Sequence, residues 1–405
     1  MQVADTTDTG FTTLLRTYKD EMRNELTAIL RYWQQHTIDE KEGGFFGAVN
    51  DQDVPDPLAP KGLVLNSRIL WAFSAAYNEK PEPSYLETAT RAFHYLIDHF
   101  IDPEFGGAYW SVDHTGAILD GKKQVYGLAF CIYGMSEYYR ASNNGMALQI
   151  SKELFDCIER YSRGREKDGY VEAFTRDWKI IGDLRLSEKD DNEKKTMNTH
   201  LHIIEAYANL YIVWPDDNLR ARIVALLSIF DTHIVNRGTN HLNLFLDDDW
   251  QVKSTLQSYG HDIEASWLLH ECAAIIGDEQ ALKAFGKIAI ELARAAITGL
   301  DMDGGLWYEF EPRDAHLIKE KHSWPQAEAM VGFFNAWQLT GEERFLHHSM
   351  NSWTFIKQYI RDNKKGEWFW GVYEDYSTIR KDKAGFWKCP YHNTRACIEI
   401  MHRIG

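Results

Sequence analysis

Two kinds of helical segment alternate along the chain. In the first kind, apolar residues return at every third or fourth position, as in residues 86–96, which predicts a helix with one side in solvent. In the second kind, apolar residues lie on nearly all sides, as in residues 65–73, which predicts a helix surrounded by protein. Similar apolar runs follow Gln124, Asn198, His261, Gln326 and Thr394. The alternation predicts six buried and six half-exposed helices.

Short acidic turns that contain glycine and lead directly into aromatic residues recur along the same chain. They lie at residues 42–46, 105–110, 168–170, 303–308 and 366–370. A degenerate copy at 241–245 has lost its glycines and divides the longest interval, so the period is about 62 residues in six units. Self-similarity at a fixed period is typical of repeat architectures. We therefore expect an all-α (α/α)6 barrel of six inner and six outer helices, with short β-hairpins at one mouth.

The composition fits a globular protein and argues against charged macromolecular partners. The chain has 405 residues, 44% of them hydrophobic, and no linker-like stretch divides it, so we expect a single catalytic domain over residues 1–405. The net charge of -16, without a basic cluster, repels phosphate, and nucleic acid is not an expected partner. We see no secretory signal, no apolar run near the roughly 20 residues that span a bilayer, and no disulfide or zinc pattern in the five cysteines. We expect a cytoplasmic protein without membrane contact, either a monomer or a homodimer.

Polar and aromatic residues interrupt the starts of the apolar helices. Because each inner helix begins after its turn, all six starts lie at the same end of the predicted barrel. The residues found there are Asn66, Arg68, Tyr126, Asn198, His202, Glu205, His261, Glu264, Trp324, Glu328, Trp387, Tyr391 and His392. Buried polar groups need partners, and a lined cavity supplies them. The sequence therefore predicts one cavity built from segments that are far apart in the chain.

Two of these segments share the spacing His-x-x-Glu. They are the pairs His202 with Glu205 and His261 with Glu264. A separation of three residues places both side chains on one helix face, so each carboxylate is expected to hydrogen-bond and orient its imidazole. Histidine and glutamate also bind zinc and manganese, but neither segment matches a metal-binding motif, and we expect no metal.

Two choices concern residues beside the predicted cavity. His200 lies two positions from His202, so only one of them faces inward, and the i, i+4 spacing of Asn198 and His202 favours His202. Tryptophans in the mouth loops either stack on a sugar or pack the hairpins together. Both alternatives stay open for Trp110, Trp307 and Trp368.

The predicted set combines several imidazoles and an arginine without an obvious nucleophile, which points to proton transfer. Imidazole, with an ordinary pKa near 6.5, serves as both base and acid at neutral pH. An arginine and a donor imidazole stabilise an oxyanion as it develops. Aromatic faces beside polar groups suit the apolar faces of sugar rings. The hypothesis is therefore proton transfer on a carbohydrate.

Four segments resemble a known family. Residues 197–207, 258–264 and 324–328 resemble motifs of the N-acylglucosamine 2-epimerase superfamily, and residues 385–393 resemble its cellobiose 2-epimerase branch. The resemblance runs essentially end to end and implies an (α/α)6 barrel that needs no cofactor. It implies reversible conversion of the reducing-end glucose of β-1,4-linked disaccharides, cellobiose or lactose-type sugars, to mannose. The implied path is ring opening, removal of the C2 proton to give a cis-enediolate, and reprotonation on the opposite face.

The resemblance also implies roles for individual residues. His392 and His261 are implied to be the acid/base pair on opposite faces of C2, with Glu264 orienting His261. His202 is implied to assist ring opening and hold O1, and Arg68 to polarise the same oxygens. The residues implied to bind sugar are Tyr126, Asn198, Trp324 and Trp387.

Other functions stay open on the same residues. A mannose or other aldose–ketose isomerase of the superfamily shares the histidines but moves the proton between C1 and C2, and an N-acylglucosamine 2-epimerase is a further alternative. Glycoside hydrolases also use (α/α)6 barrels, but they need two available carboxylates, whereas spacing ties Glu205 and Glu264 to histidines. A charged insertion at residues 184–195 is either a solvated loop or a contact for the second sugar.

Overall fold

A computed structural model describes residues 6–164 and 166–405, and twelve α-helices alternate there between an outer and an inner position. The outer helices are α1 (Thr6–His36), α3 (Pro83–His99), α5 (Gly145–Cys157), α7 (Asp217–Ile229), α9 (Glu279–Ala296) and α11 (Glu343–Phe355). The inner helices are α2 (Leu63–Glu79), α4 (Val125–Ser142), α6 (Met197–Val213), α8 (Tyr259–Ile275), α10 (Ser323–Thr340) and α12 (His392–Ile404).

The burial of each helix follows its hydrophobic pattern. In α2 every residue from Leu63 to Ala76 is buried, because protein surrounds the helix on all sides. In α3 burial recurs with helical spacing, at residues such as Ala89, Ala92 and Leu96, because the opposite face meets solvent. The hydrophobic core therefore fills the space between the two rings.

The inner helices form a closed ring. Each packs against the next along the chain, and the last, α12, packs against both α2 and the outer helix α1. This arrangement is the (α/α)6 barrel that the sequence predicts. Among the described residues, no helix combines the length and apolarity that crossing a bilayer requires.

Small antiparallel sheets link successive repeats at one end of the barrel. The strands are β1 (Ala48–Val49), β2 (Pro55–Asp56), β3 (Lys61–Gly62), β4 (Ser111–Val112), β5 (Ile118–Asp120), β6 (Lys123–Gln124), β7 (Ala173–Phe174), β8 (Lys195–Thr196), β9 (Phe245–Leu246), β10 (Gln257–Ser258), β11 (Glu309–Glu311), β12 (His316–Ile318), β13 (Glu320–His322) and β14 (Gly371–Tyr373). The strand that leads into an inner helix pairs with the hairpin of the next repeat, as in the register Lys61↔Val112 and Gly62↔Ser111. This pairing places the starts of the inner helices at the hairpin end.

A buried lysine anchors the glycine turn of most repeats. It lies in the strand before the inner helix in three repeats and in the longer loop before α12 in the last, and it reaches back to an aspartate about 21 residues earlier, at the start of the turn. The pairs are Lys61 with Asp39 at 2.8 Å, Lys123 with Asp102 at 2.7 Å, Lys321 with Asp301 at 2.7 Å and Lys383 with Asp362 at 2.7 Å. Buried ion pairs of this kind fix geometry more than they add stability. The turns, and with them the mouth of the barrel, are thereby held in place.

The glycines of the turns are required by both conformation and space. Gly44 has a φ of +62°, in the left-handed region, and a Cβ there would lie 2.6 Å from the Tyr95 ring. A side chain at this position would be strained and would also displace the ring. The recurring glycine is therefore part of the repeat's structure.

Candidate active site

A cavity of about 380 Å³ opens at the hairpin end, where the inner helices begin. Its walls come from all six inner helices, from the loop before α12 and from the charged insertion in the third repeat. The structure brings all nine sequence-predicted site residues to this one cavity: Arg68, Tyr126, Asn198, His202, His261, Glu264, Trp324, Trp387 and His392.

His392 opens helix α12 and is held by a glutamate from a neighbouring helix. Its Nδ1 lies 2.6 Å from Oε1 of Glu328 on α10. A carboxylate accepts only, so Nδ1 carries the proton and Nε2 keeps its lone pair for a substrate. Burial, reinforced by the positive charges of Arg68 and Arg395, holds the pKa of His392 well below its ordinary value. At neutral pH this imidazole is a neutral base.

His202 on α6 makes the hydrogen bond that its spacing predicts. Its Nδ1 lies 2.8 Å from Oε2 of Glu205. Burial lowers the pKa of His202, although Glu205 acts in the opposite direction. For Glu205, the charge of Arg395 and the bond from His202 outweigh the effect of burial and lower the pKa to about 2. The glutamate is therefore ionised and fixes the tautomer of His202.

The second predicted pair is different. Nδ1 of His261 lies 2.8 Å from Oγ of Ser258, the residue that caps helix α8, while Glu264 bonds Arg395 at 2.5 Å. The prediction that Glu264 orients His261 by a direct hydrogen bond is therefore wrong. His261 stands in the first turn of α8, where the cap hydroxyl is within reach, and Glu264 is drawn to a permanent cation from another helix. Burial, and then the positive charge of Lys189, lowers the pKa of His261 to about 3.

Arg395 joins the carboxylates behind the histidines. Its guanidinium contacts Glu205, bonds Oε1 of Glu264 at 2.5 Å and bonds Oε1 of Glu328 at 2.7 Å. The Tyr391 hydroxyl adds a 2.5 Å bond to Glu205. The sequence did not single out Arg395, although its position three residues after His392, in the first turn of the last inner helix, was a signal of such a contact.

The same cluster contains the groups that are best placed to ligate a metal. One ligand atom each from Glu264, Glu328 and His392 lies within 4.8 Å of the others. The guanidinium of Arg395 already bonds both carboxylates, so a cation is in place between them. Burial, and then repulsion from Glu328, raises the pKa of Glu264 to about 8, against the opposing effect of Arg395. The negative charge of this cluster is therefore balanced by the Arg395 guanidinium and by a proton on Glu264, which favours these over a divalent metal ion.

Arg68 and Tyr126 form a second polar pair at the cavity wall. The guanidinium donates to the Tyr126 hydroxyl at 2.8 Å, and its carbon lies 4.0 Å from the centre of the Phe130 ring. The Tyr126 ring meets the His202 ring edge-on at 5.1 Å. A donor group is thus placed beside an imidazole, as stabilisation of an oxyanion requires.

Aromatic rings frame the histidines. The ring centre of Trp324 lies 4.8 Å from that of His261 and 5.5 Å from that of His392, so this indole contacts both. Trp387 and Trp370 also line the cavity.

The contacts of the three remaining mouth tryptophans favour packing. The Trp110 ring centre lies 5.0 Å from that of Phe386, and Lys321 Nζ lies 4.1 Å from the centre of the Trp307 ring. Trp368 is buried and its Nε1 donates to Oε1 of Glu25 at 2.7 Å, although it also lines a small pocket beside the cavity.

The choice between the two histidines of α6 is confirmed. His200 is fully buried outside the cavity, with Nδ1 2.7 Å from the Thr196 carbonyl and Nε2 accepting from the Tyr170 amide at 3.0 Å. Both ring nitrogens are therefore used by the backbone. Asn198 does line the cavity, and its Oδ1 is buried without a hydrogen-bond partner in the described part of the chain. That oxygen is available for a sugar hydroxyl.

The charged insertion contributes directly to the mouth of the cavity. Eight of its residues line the wall, and Lys189 reaches across to the Tyr308 hydroxyl. His322, which sequence reasoning missed, lines the same outer region with its Nε2 2.6 Å from Oε2 of Glu320. Its position immediately before the inner helix α10 could have indicated that it lies near the cavity.

Comparisons with known proteins agree with this geometry. A family model described as N-acylglucosamine 2-epimerase (GlcNAc 2-epimerase) matches residues 43–396. A cellobiose 2-epimerase of Bacteroides fragilis is 49% identical over 95% of this chain and 98% of its own length. The solved structure of a cellobiose 2-epimerase from Bacillus thermoamylovorans has a TM-score of 0.91 at 38% identity, covering 96% of this chain and 100% of that one. Another, from Spirochaeta thermophila, has a TM-score of 0.89 at 40% identity, covering 97% and 98%. The chain belongs to the N-acylglucosamine 2-epimerase family.

Proposed function

We propose that this protein is a cellobiose 2-epimerase, an isomerase that interconverts glucose and mannose at the reducing end of β-1,4-linked disaccharides. The observation that carries the proposal is the arrangement of three imidazoles around one cavity, each with Nδ1 bonded to a protein group. Each keeps Nε2 for a substrate. The relatives described above are cellobiose 2-epimerases, which supports the same activity.

The reaction begins with opening of the sugar ring. His202 assists the transfer of the proton between O1 and the ring oxygen, and Arg68 lies at the same wall to polarise O1. The bond from His202 to the ionised Glu205 makes its Nε2 the acceptor in this step. Tyr126 and the unpaired Oδ1 of Asn198 bind hydroxyls of the open chain.

Proton transfer at C2 then uses His392 and His261. Both are neutral at pH 7, because burial lowers the pKa of each. One removes the C2 proton and becomes an imidazolium, and the intermediate rotates about C2–C3. The other takes a proton from water and returns it to C2 on the opposite face, and the first imidazolium then releases its proton to water. Trp324 contacts both rings and holds them apart on either side of the sugar. Arg68 stabilises the enediolate oxygens between the two transfers.

The outer part of the cavity supplies a place for the second sugar. Lys189 of the insertion, Tyr308, His322 and Trp370 form a connected group there. Lys189 bonds the Tyr308 hydroxyl, and the ring centre of His322 lies 3.9 Å from that of Tyr308 and 5.9 Å from that of Trp370. Polar groups beside an indole suit a pyranose ring. A small-molecule disaccharide is therefore the proposed partner, and the cytoplasm is the proposed location.

Hydrolysis is not favoured by the arrangement of carboxylates. A glycosidase needs one carboxylic acid and one free carboxylate on opposite sides of the scissile bond. Here Glu264 and Glu328 both bond the same guanidinium. An aldose–ketose isomerase would use the same imidazoles, and only the products separate it from an epimerase.

The test is to incubate the protein with cellobiose and, separately, with mannose, and to identify the products by chromatography and NMR. We expect 4-O-glucosyl-mannose from cellobiose, and no product with His392→Asn. Fructose from mannose with cellobiose unchanged would reassign the chain as an isomerase. Free glucose from cellobiose would reassign it as a hydrolase.

A further inference from the structure

Arg68 is a buried cation without a carboxylate partner among the residues that the structure describes. It is 3% exposed, and its polar contacts are the Tyr126 hydroxyl at 2.8 Å and Sγ of Cys389 at 3.6 Å. Its Nε is buried and has no hydrogen-bond partner within the described ranges. The guanidinium otherwise faces the rings of Phe130 and Tyr391, with its carbon 4.0 and 4.7 Å from their centres. None of these groups neutralises its charge.

The acidic groups behind the cavity do not pair with the buried positive charge of Arg68. Glu205, Glu264 and Glu328 all contact Arg395. One buried arginine therefore has three carboxylates, whereas Arg68 has none. An ion taken out of water is costly unless an opposite charge meets it, so Arg68 is set to receive an anionic oxygen from a ligand.

That anionic oxygen belongs at one end of the ligand. Arg68 lines the cavity together with His202 and His392, and Tyr126 bridges Arg68 and His202 through a hydrogen bond and a ring contact. Under the proposed function, C1 and C2 of an open-chain sugar lie at this end. The aldehyde is neutral, and its oxygens carry negative charge only in the short-lived enediolate. A carboxylate at C1 carries such a charge permanently, and arginine binds carboxylates through two nitrogens at once.

We propose that the cavity binds open-chain aldonic acids that carry a 4-O-glycosyl group, with the C1 carboxylate on Arg68. This inference rests on the proposed function, because it places the reducing-end carbon beside Arg68. The acid differs from the open-chain substrate only in the oxidation state of C1. It competes with the disaccharide, so the oxidised form of the substrate inhibits the enzyme.

The test compares cellobionate with cellobiitol, the neutral alditol of the same open chain. Inhibition constants and calorimetric affinities of both are measured for the wild type, for Arg68→Met and for Arg68→Lys. The control variant is Lys381→Met, which removes another cation of the cavity wall at its outer part. Thermal unfolding shows whether each variant is folded.

We expect the wild type and Lys381→Met to bind cellobionate at least about tenfold more tightly than cellobiitol. In Arg68→Met we expect the two ligands to bind about equally. In Arg68→Lys we expect part of the preference for cellobionate over cellobiitol to remain. Equal binding of the two ligands by the wild type would overturn the inference, as would a preference that survives in Arg68→Met. Either result, with cellobiose still epimerised, leaves the proposed function intact, whereas loss of epimerisation in the wild type contradicts that function separately.

Discussion

Nδ1 of His392, at the start of the last inner helix, lies 2.6 Å from Oε1 of Glu328 on the inner helix before it. The two residues are 64 positions apart in the chain, so the contact depends on the packing of two neighbouring inner helices, α10 and α12. It fixes the tautomer of an imidazole that faces the substrate cavity. Glu328 is therefore a positioning residue for the base.

The substitution Glu328→Gln tests this role. We expect the rate of epimerisation to fall about 10- to 1000-fold, because an amide neither fixes the Nδ1–H tautomer nor stabilises the imidazolium. The matched control is Glu159→Gln, a partly buried glutamate outside the cavity that accepts bonds from the Tyr170 and Tyr207 hydroxyls. Steady-state kinetics on cellobiose compare the two variants. Equal losses in both would contradict a specific role for Glu328.

Two histidines of one helix give a second comparison. His202→Asn removes an imidazole from the cavity and is expected to lower the rate at least about 100-fold. His200→Asn removes an imidazole bonded only to the backbone, so we expect a lower melting temperature with the rate per folded molecule retained. Kinetics and thermal unfolding of both variants check this. An inactive but stable His200→Asn protein would show that the assignment of the two histidines is reversed.

The buried histidines make stability depend on pH. Burial lowers the pKa of His200 to about 4 and that of His261 to about 3, against 6.5 for an exposed histidine. Below pH 6.5 the unfolded chain therefore binds protons at these two histidines that the folded chain does not, so their contribution to the free energy of unfolding falls as the pH drops from 6.5 toward 3. Glu264, whose pKa is raised to about 8, contributes in the opposite direction, so the comparison with a histidine variant isolates the effect. Urea unfolding between pH 7.5 and 4.5 measures the slope. His200→Asn is expected to flatten it, and an unchanged slope would contradict the assigned pKa.

Arg395 is predicted to be necessary for both folding and activity. Arg395→Met leaves Glu205, Glu264 and Glu328 close together without a cation, which should lower the free energy of unfolding by about 3–5 kcal/mol. Arg395→Lys keeps the positive charge but cannot bond all three carboxylates. Its free energy of unfolding should therefore lie between those of the wild type and Arg395→Met. Urea unfolding and kinetics of both variants measure this. If Arg395→Met has the same free energy of unfolding as the wild type, the carboxylates are neutralised by protons and do not need the arginine for stability.

Lys189 tests the part of the cavity assigned to the second sugar. Lys189→Met is expected to raise KM for cellobiose about 3- to 10-fold, because a polar contact to the second sugar is lost. We expect little change in kcat at pH 7, because burial keeps His261 neutral even without the charge of Lys189. Lys253→Met is the matched control, since Lys253 pairs with Asp247 on the surface. Steady-state kinetics separate KM from kcat. A fall in kcat alone would assign Lys189 to the chemical step.

The sequence allowed the fold to be predicted because its signals are periodic. Apolar positions on all sides of a helix or on one side, together with glycine turns at a fixed interval, define the two rings. Convergence of the nine site residues followed from that topology alone. The single domain over residues 1–405 and the monomeric or dimeric state stay predictions.

Contacts across the barrel could not be predicted in the same way. Spacing within one helix correctly gave the His202–Glu205 bond, because both partners lie on one face. The same reasoning was wrong for His261 and Glu264, because Arg395 approaches Glu264 from another helix. Local spacing does not show which side chain from a distant segment competes for a carboxylate.

The most direct test of proton transfer by the cavity histidines is the fate of the C2 hydrogen of the substrate. Cellobiose is incubated with the enzyme in D2O that contains EDTA, and the products are followed by proton NMR. Proton transfer through imidazoles predicts 4-O-glucosyl-mannose with deuterium at C2. It also predicts that EDTA does not change the rate, because no readily removed metal carries the proton. A mannose-containing product that keeps its original C2 proton, or loss of activity in EDTA that added metal restores, would contradict it.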